Sequence, residues 1–155
     1  MRDIKRIQPI VEALQRHGFI TKLEETSLTT FWSEYPDYRL GQLLINHSTE
    51  DTGLANLLSR VQEAMLSKGN KIPLFYIEEA ELMEMLNIGS REYTIWGSLG
   101  KPATNTMTFK LVKDMDTVHI EEVIEHLKNG IGHSKIAKVM QDELALRIIN
   151  NNLKQ

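Results

Sequence analysis

Between Asp51 and Gly69 the chain carries Leu54, Leu57, Leu58, Val61, Met65 and Leu66, an apolar set that recurs every three to four residues. That spacing fits a helix and not a pleated strand, because helical side chains return to one face about every 3.6 residues while strand side chains alternate. A helix with one apolar face must bury it against neighbours, so the pattern calls for a packed helical assembly. It occurs again at the start of the chain. Ile4, Ile7, Ile10, Val11 and Leu14 fall within about 120° of arc, with Asp3 placed as an N-cap and Gly18 as a stop. Pro9 lies inside this stripe, so the regular helix either begins there or kinks there. A third stripe, Leu40, Leu43 and Leu44, comes after the boundary Tyr35-Pro36-Asp37, where proline disfavours helix in the residue before it and Asp37 can cap the next helix. Gly41 inside that stripe costs up to ~1 kcal/mol relative to alanine, which predicts a close approach by a neighbour.

The remaining segments are less regular. Phe19–Thr30 reads as helix or loop, although Leu23, Leu28, Phe31 and Trp32 need burial. His47–Gly53 is a polar turn. Pro73 opens Leu74-Phe75-Tyr76-Ile77, an apolar run expected to be extended, and Glu78–Leu86 is a short acidic helix ending near Gly89. Gly97–Asn105 has the composition of a linker or turn, and Met107–Val112 alternates loosely as a strand. Asp116 or Thr117 caps a helix that runs to Asn129. Gly130 and Gly132 break it, and His133 or Ser134 starts a last helix carrying Ile136, Met140, Leu144 and Ile148. The expected fold is mainly α, a small helical domain with minor β and a C-terminal helical hairpin. Residues 1–88 form an N-terminal helical module, 89–106 a connecting segment and 107–155 a C-terminal helical module. Trp32, Leu40, Leu43, Leu44 and Phe75 are expected to share one core.

Composition narrows the function. The 155 residues include 41% hydrophobic and 25% charged side chains, ordinary globular usage. With no cysteine, disulfides, thiolate metal sites and cysteine nucleophiles are excluded. No apolar run approaches the ~20 residues that span a bilayer, and Met1–Pro9 is charged where a signal peptide would be apolar. The expected location is the cytoplasm. A net charge of −3 is unlike a dedicated nucleic-acid binder, although a local basic face remains open.

Four constellations are candidates for chemistry or contact. His119, Glu122 and His126 lie within about 60° of one helix face and are of metal-ligating types. The two histidines are, however, about 10.5 Å apart along the axis, too far to share one ion, and a boundary position flanking the core is the stronger reading of them. Asp114 and Asp116 resemble paired carboxylates but suit a helix N-terminus, where the dipole favours them. Glu78, Glu79, Glu81 and Glu84 form an acidic surface that a basic partner could meet, or simply a solvated side. Residues 119–147 resemble a helix-turn-helix with Lys135, Lys138, Gln141 and Arg147 on the second helix. The first helix, however, presents Glu121, Glu122 and Glu125, which would repel phosphate. No phosphate loop, G-x-S-x-G, H-E-x-x-H or EF-hand pattern occurs. No cofactor and no enzymatic activity are expected.

Two stretches are similar to known patterns. Residues 31–45, FWSEYPDYRLGQLLI, together with LFYIEEAEL at 74–82, resemble a family of small phage and prophage proteins with no assigned activity. Arg2, Asp3, Arg6, Trp32, Pro36, Asp37, Arg39, Leu40, Gly41, Gln42, Leu43, Phe75 and Tyr76 match its pattern, and Gly18–Thr30 is an insertion relative to it. The similarity covers residues 1–88. LVKDMDTVHIEEVIEHL at 111–127, with Glu143, Leu144 and Arg147, resembles a second phage-type module, without the asparagine that usually comes after its histidine-hydrophobic pair. The resemblance implies a phage or mobile-element origin and two modules. The expected role is a non-enzymatic accessory protein that binds another macromolecule, a protein by preference, with self-association open. A DNA-binding regulator using the C-terminal helix pair is the alternative. The candidate contact residues are Glu78, Glu79, Glu81, Glu84, His119, Glu122, His126, Lys135 and Lys138.

Overall fold

A computed structural model describes residues 4–98, 107–128 and 134–153. Among them the chain forms seven α-helices and one two-stranded antiparallel sheet, a mainly helical fold with minor β. It divides into two compact units, Met1–Tyr93 and Thr94–Gln155.

The first unit begins with α1, Ile4–Arg16, which continues through Pro9 and buries Ile7, Ile10, Val11, Ala13 and Leu14. Asp3, the expected cap, lies outside the described residues. The helix stops where expected. Gly18 takes φ +76°, open to glycine at no steric cost, and the Phe19 N–H donates back to Leu14 O at 2.9 Å. The ambiguous stretch is then helical. α2 spans Lys22–Glu34 and opens on a capping box in which Thr21 N–H donates to Glu24 Oε2 at 3.0 Å and Glu24 N–H to Thr21 Oγ1 at 3.4 Å. Leu28 and Trp32 are buried as required, but Leu23 is exposed. Glu24 takes a buried place instead, neutralised by Arg60, whose Nη1 also donates to Phe19 O at 2.9 Å. α3, Leu40–His47, starts two residues later than a cap at Asp37 would place it. Its cap position is Arg39, whose N–H donates to Gln42 Oε1 at 3.3 Å. α4, Thr52–Ser67, is capped by Asp51, which accepts from Leu54 N–H at 3.0 Å. Leu54, Leu57, Val61 and Met65 of its stripe are buried and Leu58 is partly buried, while Leu66 is 82% exposed.

The expected extended run is a single 3-10 turn, Leu74–Tyr76, closed by hydrogen bonds from Tyr76 N–H to Pro73 O and Ile77 N–H to Leu74 O. Leu74 and Ile77 face the core and Phe75 does not, which corrects its expected membership there. Trp32, Leu40, Leu43 and Leu44 do share one cluster with Leu14, Leu28, Leu57 and Leu82, and the Trp32 indole N–H donates to Tyr38 O at 3.0 Å. α5, Glu79–Met85, buries Leu82 and Met83, and beyond its cap residue Leu86 the chain turns at Asn87, which takes a left-handed φ of 58°. A second 3-10 turn, Ser90–Glu92, comes next, and Glu92 receives His17 Nε2 at 3.0 Å.

In the second unit β1, Ile95–Ser98, pairs with β2, Thr108–Leu111, in the register Trp96 with Lys110 and Ser98 with Thr108. The expected linker therefore begins inside a strand. Gly97 and Ser98 belong to β1, the unit boundary falls at Tyr93, and the remainder of Gly97–Asn105 lies outside the described residues. A 3-10 turn at Val112–Asp114 leads to α6, Thr117–Leu127. Asp116 occupies its cap position but makes no side-chain capping bond. Gly130, Gly132 and His133 lie outside the described residues. α7 spans Ser134–Leu153 and packs on α6 through Ile136, Met140 and Leu144, while Ile148 is 61% exposed. Glu143 is buried and accepts from Arg147 Nε at 2.9 Å. The same guanidinium donates to Thr117 Oγ1 at 2.8 Å and to the carbonyls of Lys113 and Val112 at 3.3 and 3.4 Å. No helix among the described residues is long and apolar enough to cross a membrane.

Candidate interaction surface

The two segments that carry the first resemblance meet in space. Gly41 in the first turn of α3 lies so close to the 74–77 turn that a Cβ there would fall 1.8 Å from Leu74 O and 2.9 Å from its carbonyl carbon. Only glycine fits, and the Gly41 N–H uses the proximity to donate to Ile77 O at 3.0 Å. This contact fixes Arg39, two residues earlier, against the outer side of the turn. Its guanidinium carbon sits 5.2 Å from the centroids of both Phe75 and Tyr76, within cation–π range, and its Nε points at Phe75 O from 3.5 Å. The two rings pack edge to face, with centroids 5.3 Å apart and planes at 84°. Tyr76 nevertheless remains 57% exposed. The result is an ordered surface of one arginine and two aromatic rings.

The acidic residues beside it do different jobs. Glu81 accepts from Glu78 N–H at 3.1 Å and so serves the capping of α5. Glu79 is half-buried, while Glu78 and Glu84 are exposed. Tyr93 is near enough to feel α5. Burial raises its phenol above the usual tyrosine range, and the charges of Glu79 and Glu84 push it further the same way. Between the end of α4 and α5 an open groove of about 420 Å³ is lined by Lys68, Ile72, Glu81, Glu84, Met85 and Asn87. The four glutamates are thus spread around α5 and do not form a single face.

A second feature lies at the boundary after α2. The His47 ring stacks on Tyr35 at 4.5 Å, Tyr35 stacks on Tyr38 at 4.9 Å, and His47 Nδ1 meets Glu50 Oε2 at 2.9 Å. This nest closes the turn between α2 and α3 and accounts for the aromatic density of FWSEYPDY as packing.

The C-terminal candidates separate. His119 is half-buried near the start of α6, and Glu122 and His126 are exposed farther along it. No group of three or more histidine, aspartate or glutamate side chains able to hold a metal ion occurs among the described residues. On α7, Lys135 is exposed, Lys138 pairs with Asp142 at 2.8 Å, and Arg147 is bound into the fold by the contacts above. Of the basic side chains proposed for a recognition helix, Arg147 is therefore structural. Arg39, Phe75 and Tyr76 were not among the candidate contact residues. The only sequence signal for them was the pairing of YRLG with LFYI across 36 positions. No family model, curated protein or solved structure matches this chain.

Proposed function

We propose that this chain is a phage-type accessory protein that acts by binding another protein, and that the Arg39–Phe75–Tyr76 surface is where the partner lands. The observation that carries this reading is the exposed Tyr76 ring, held in place by Phe75 and by the Arg39 guanidinium at 5.2 Å. Tyrosine and arginine are the side chains that most often dominate protein interfaces, because a rigid ring loses little entropy when it is covered. Exposed Glu78 and Glu84 nearby in sequence, with a net charge of −3, favour a partner whose facing surface is basic. The resemblance of these same segments to phage proteins supports the biological setting, with the host cytoplasm as the site of action. On this reading the protein needs no cofactor and catalyses no reaction.

The test is site-specific photocrosslinking in a host cell. A photoreactive phenylalanine at position 75 should trap one protein, and the same group at exposed Leu66 should not. Tyr76→Ala should weaken binding of the recovered partner by at least about 2 kcal/mol, the scale of an interface hot spot. Equal trapping at both positions, or unchanged affinity of the Tyr76→Ala variant, would refute the placement. Duplex-DNA binding by the full chain that falls steeply with salt would favour the regulator reading instead.

A further inference from the structure

The second unit carries a cavity that the partner-binding reading leaves unused. Strand residues two apart share a face. Trp96 and Ser98 of β1 therefore stand on the same face as their cross-strand partners Lys110 and Thr108 of β2. Met115, before α6, and His119, in its first turn, join them, and these six described residues line a cavity of about 130 Å³. At roughly 30 Å³ per water that is room for about four waters, the bulk of one phosphate or carboxylate group and too little for a nucleoside.

The lining is chemically one-sided. Met115 is buried and Trp96 packs against the apolar core of the unit, so the floor is apolar. Thr108 Oγ1 donates to Ser98 O at 3.2 Å, which fixes the strand ends and uses that hydroxyl proton. The side chains of Lys110 and His119 remain as donors. Neither makes an ion pair or hydrogen bond among the described residues. No carboxylate stands among the described lining residues to neutralise them. Among the described residues, then, two nitrogen donors without a partner, one of them a fixed cation, line a small and partly enclosed space beside an indole. Charge-assisted hydrogen bonds to an oxyanion are the interaction such a site makes best, and the apolar floor strengthens them by excluding water.

We infer that this cavity binds a small oxyanion, a single phosphate or carboxylate group of a small molecule, through Lys110 and His119 beside the Trp96 ring. The test is an NMR titration of the full-length 15N-labelled chain with sodium phosphate and, separately, with sodium acetate, at an ionic strength held constant with sodium chloride. The Trp96 indole signal, assigned by its loss in Trp96→Phe, should move along a saturable curve with at least one of the two anions. The signal of Trp32, fully buried in the other unit, should stay still. Saturation by phosphate alone identifies a phosphoryl ligand, by acetate alone a carboxylate, and by both an unselective oxyanion site. Lys110→Gln, at an exposed position, should weaken binding about tenfold, and His119→Gln should do so independently. Linear, non-saturating shifts with both anions would overturn the assignment. So would saturable binding that neither substitution weakens.

Discussion

Among the described residues the first unit buries nineteen hydrophobic side chains in one cluster, and the second buries six. Each large apolar side chain removed from water contributes about 1.5–3 kcal/mol, so the first unit has ample apolar burial and its polar contacts refine it. The second unit is organised around a polar lock. Arg147 joins α7 to the 112–114 turn and to the first residue of α6, and in doing so neutralises the buried Glu143. A small unit with little core depends on such connections more than a larger one does. The two units should therefore fail for different reasons, one through cavities and the other through lost charge pairing.

The largest expected effect is in the apolar unit. Trp32→Ala removes a fully buried ring and its hydrogen bond to Tyr38 O, and should cost about 3–5 kcal/mol. Hydrogen exchange should then accelerate in α1–α5 while α6 and α7 keep their protection. Equal loss throughout would mean that the chain unfolds as one cooperative body and that the comparison is wrong.

Next comes the lock. Arg147→Met takes the guanidinium away from Glu143, whose side chain is completely buried, and should destabilise the second unit by about 3 kcal/mol, the low end for breaking a buried pair. Adding Glu143→Leu should recover most of that loss, because a well-packed apolar pair replaces a buried ion pair at little cost. Thermal melts of the single and double variants decide it. If the double variant is no better than the single one, the lock acts by shape and not by charge.

Gly41→Ala should cost about 1–3 kcal/mol, the usual range for overpacking. The methyl would meet backbone at Leu74, which cannot rotate away. The effect belongs to the first unit and should appear as faster exchange at the Ile77 carbonyl's partner, the Gly41 N–H. A stability equal to wild type would show that the 74–77 turn shifts freely, and the Arg39 surface with it.

These residues also mark what could be read from sequence. Helices α1, α4 and α6 were legible because burial tracks their period. The errors at Leu66 and Ile148 have the same geometric origin, since each lies about 120° from the first residue of its stripe and so falls off the packed face. α2 was ambiguous because its buried face includes Glu24 and Ser27. Those polar residues hide the period, and Glu24 is tolerated there because it accepts the Thr21 N–H and because Arg60 arrives from a helix far along the chain. Leu74-Phe75-Tyr76-Ile77 has four apolar residues in a row and no period at all, so the choice between strand and turn is made by Gly41 docking on it. The Arg39 surface depends on that same long-range contact, which spacing alone cannot reveal. The acidic α5 was legible as a helix, but its capping and its effect on Tyr93 required the neighbouring chain.

Tyr93 gives a smaller, pH-dependent difference between the units. Burial, aided by Glu79 and Glu84, holds its pKa in the folded chain above the unfolded value near ~10. Below that pH both states keep the proton and the group has no pH effect. As pH rises above it, the unfolded chain releases its proton first, so stability falls until the folded pKa is passed. The first unit should thus lose stability above about pH 10, and Glu79→Gln should narrow that window by lowering the folded pKa. Tyrosinate absorbance of the folded protein checks it, and an ordinary titration of Tyr93 would remove α5 from its surroundings.

The smallest expected effect on stability carries the most information about function. Tyr76→Ala removes a ring that is 57% exposed and touches Arg39 and Phe75 from the outside of the turn. Surface substitutions of this kind usually stay within about 0.5 kcal/mol. An exposed cation–π contact adds roughly 0.5–1 kcal/mol at most, and here Arg39 retains Phe75 as a second ring. The melting temperature of the first unit should therefore hardly move. Gly41→Ala perturbs the same surface from beneath, by displacing the turn that carries both rings. If the surface serves binding, the two variants part company: Gly41→Ala lowers stability and affinity together, while Tyr76→Ala lowers affinity alone. If Tyr76→Ala destabilises the unit as much as Gly41→Ala does, the ring is a structural brace. The ordered arginine–aromatic surface would then be a product of packing, and the partner site would have to be sought elsewhere on the first unit.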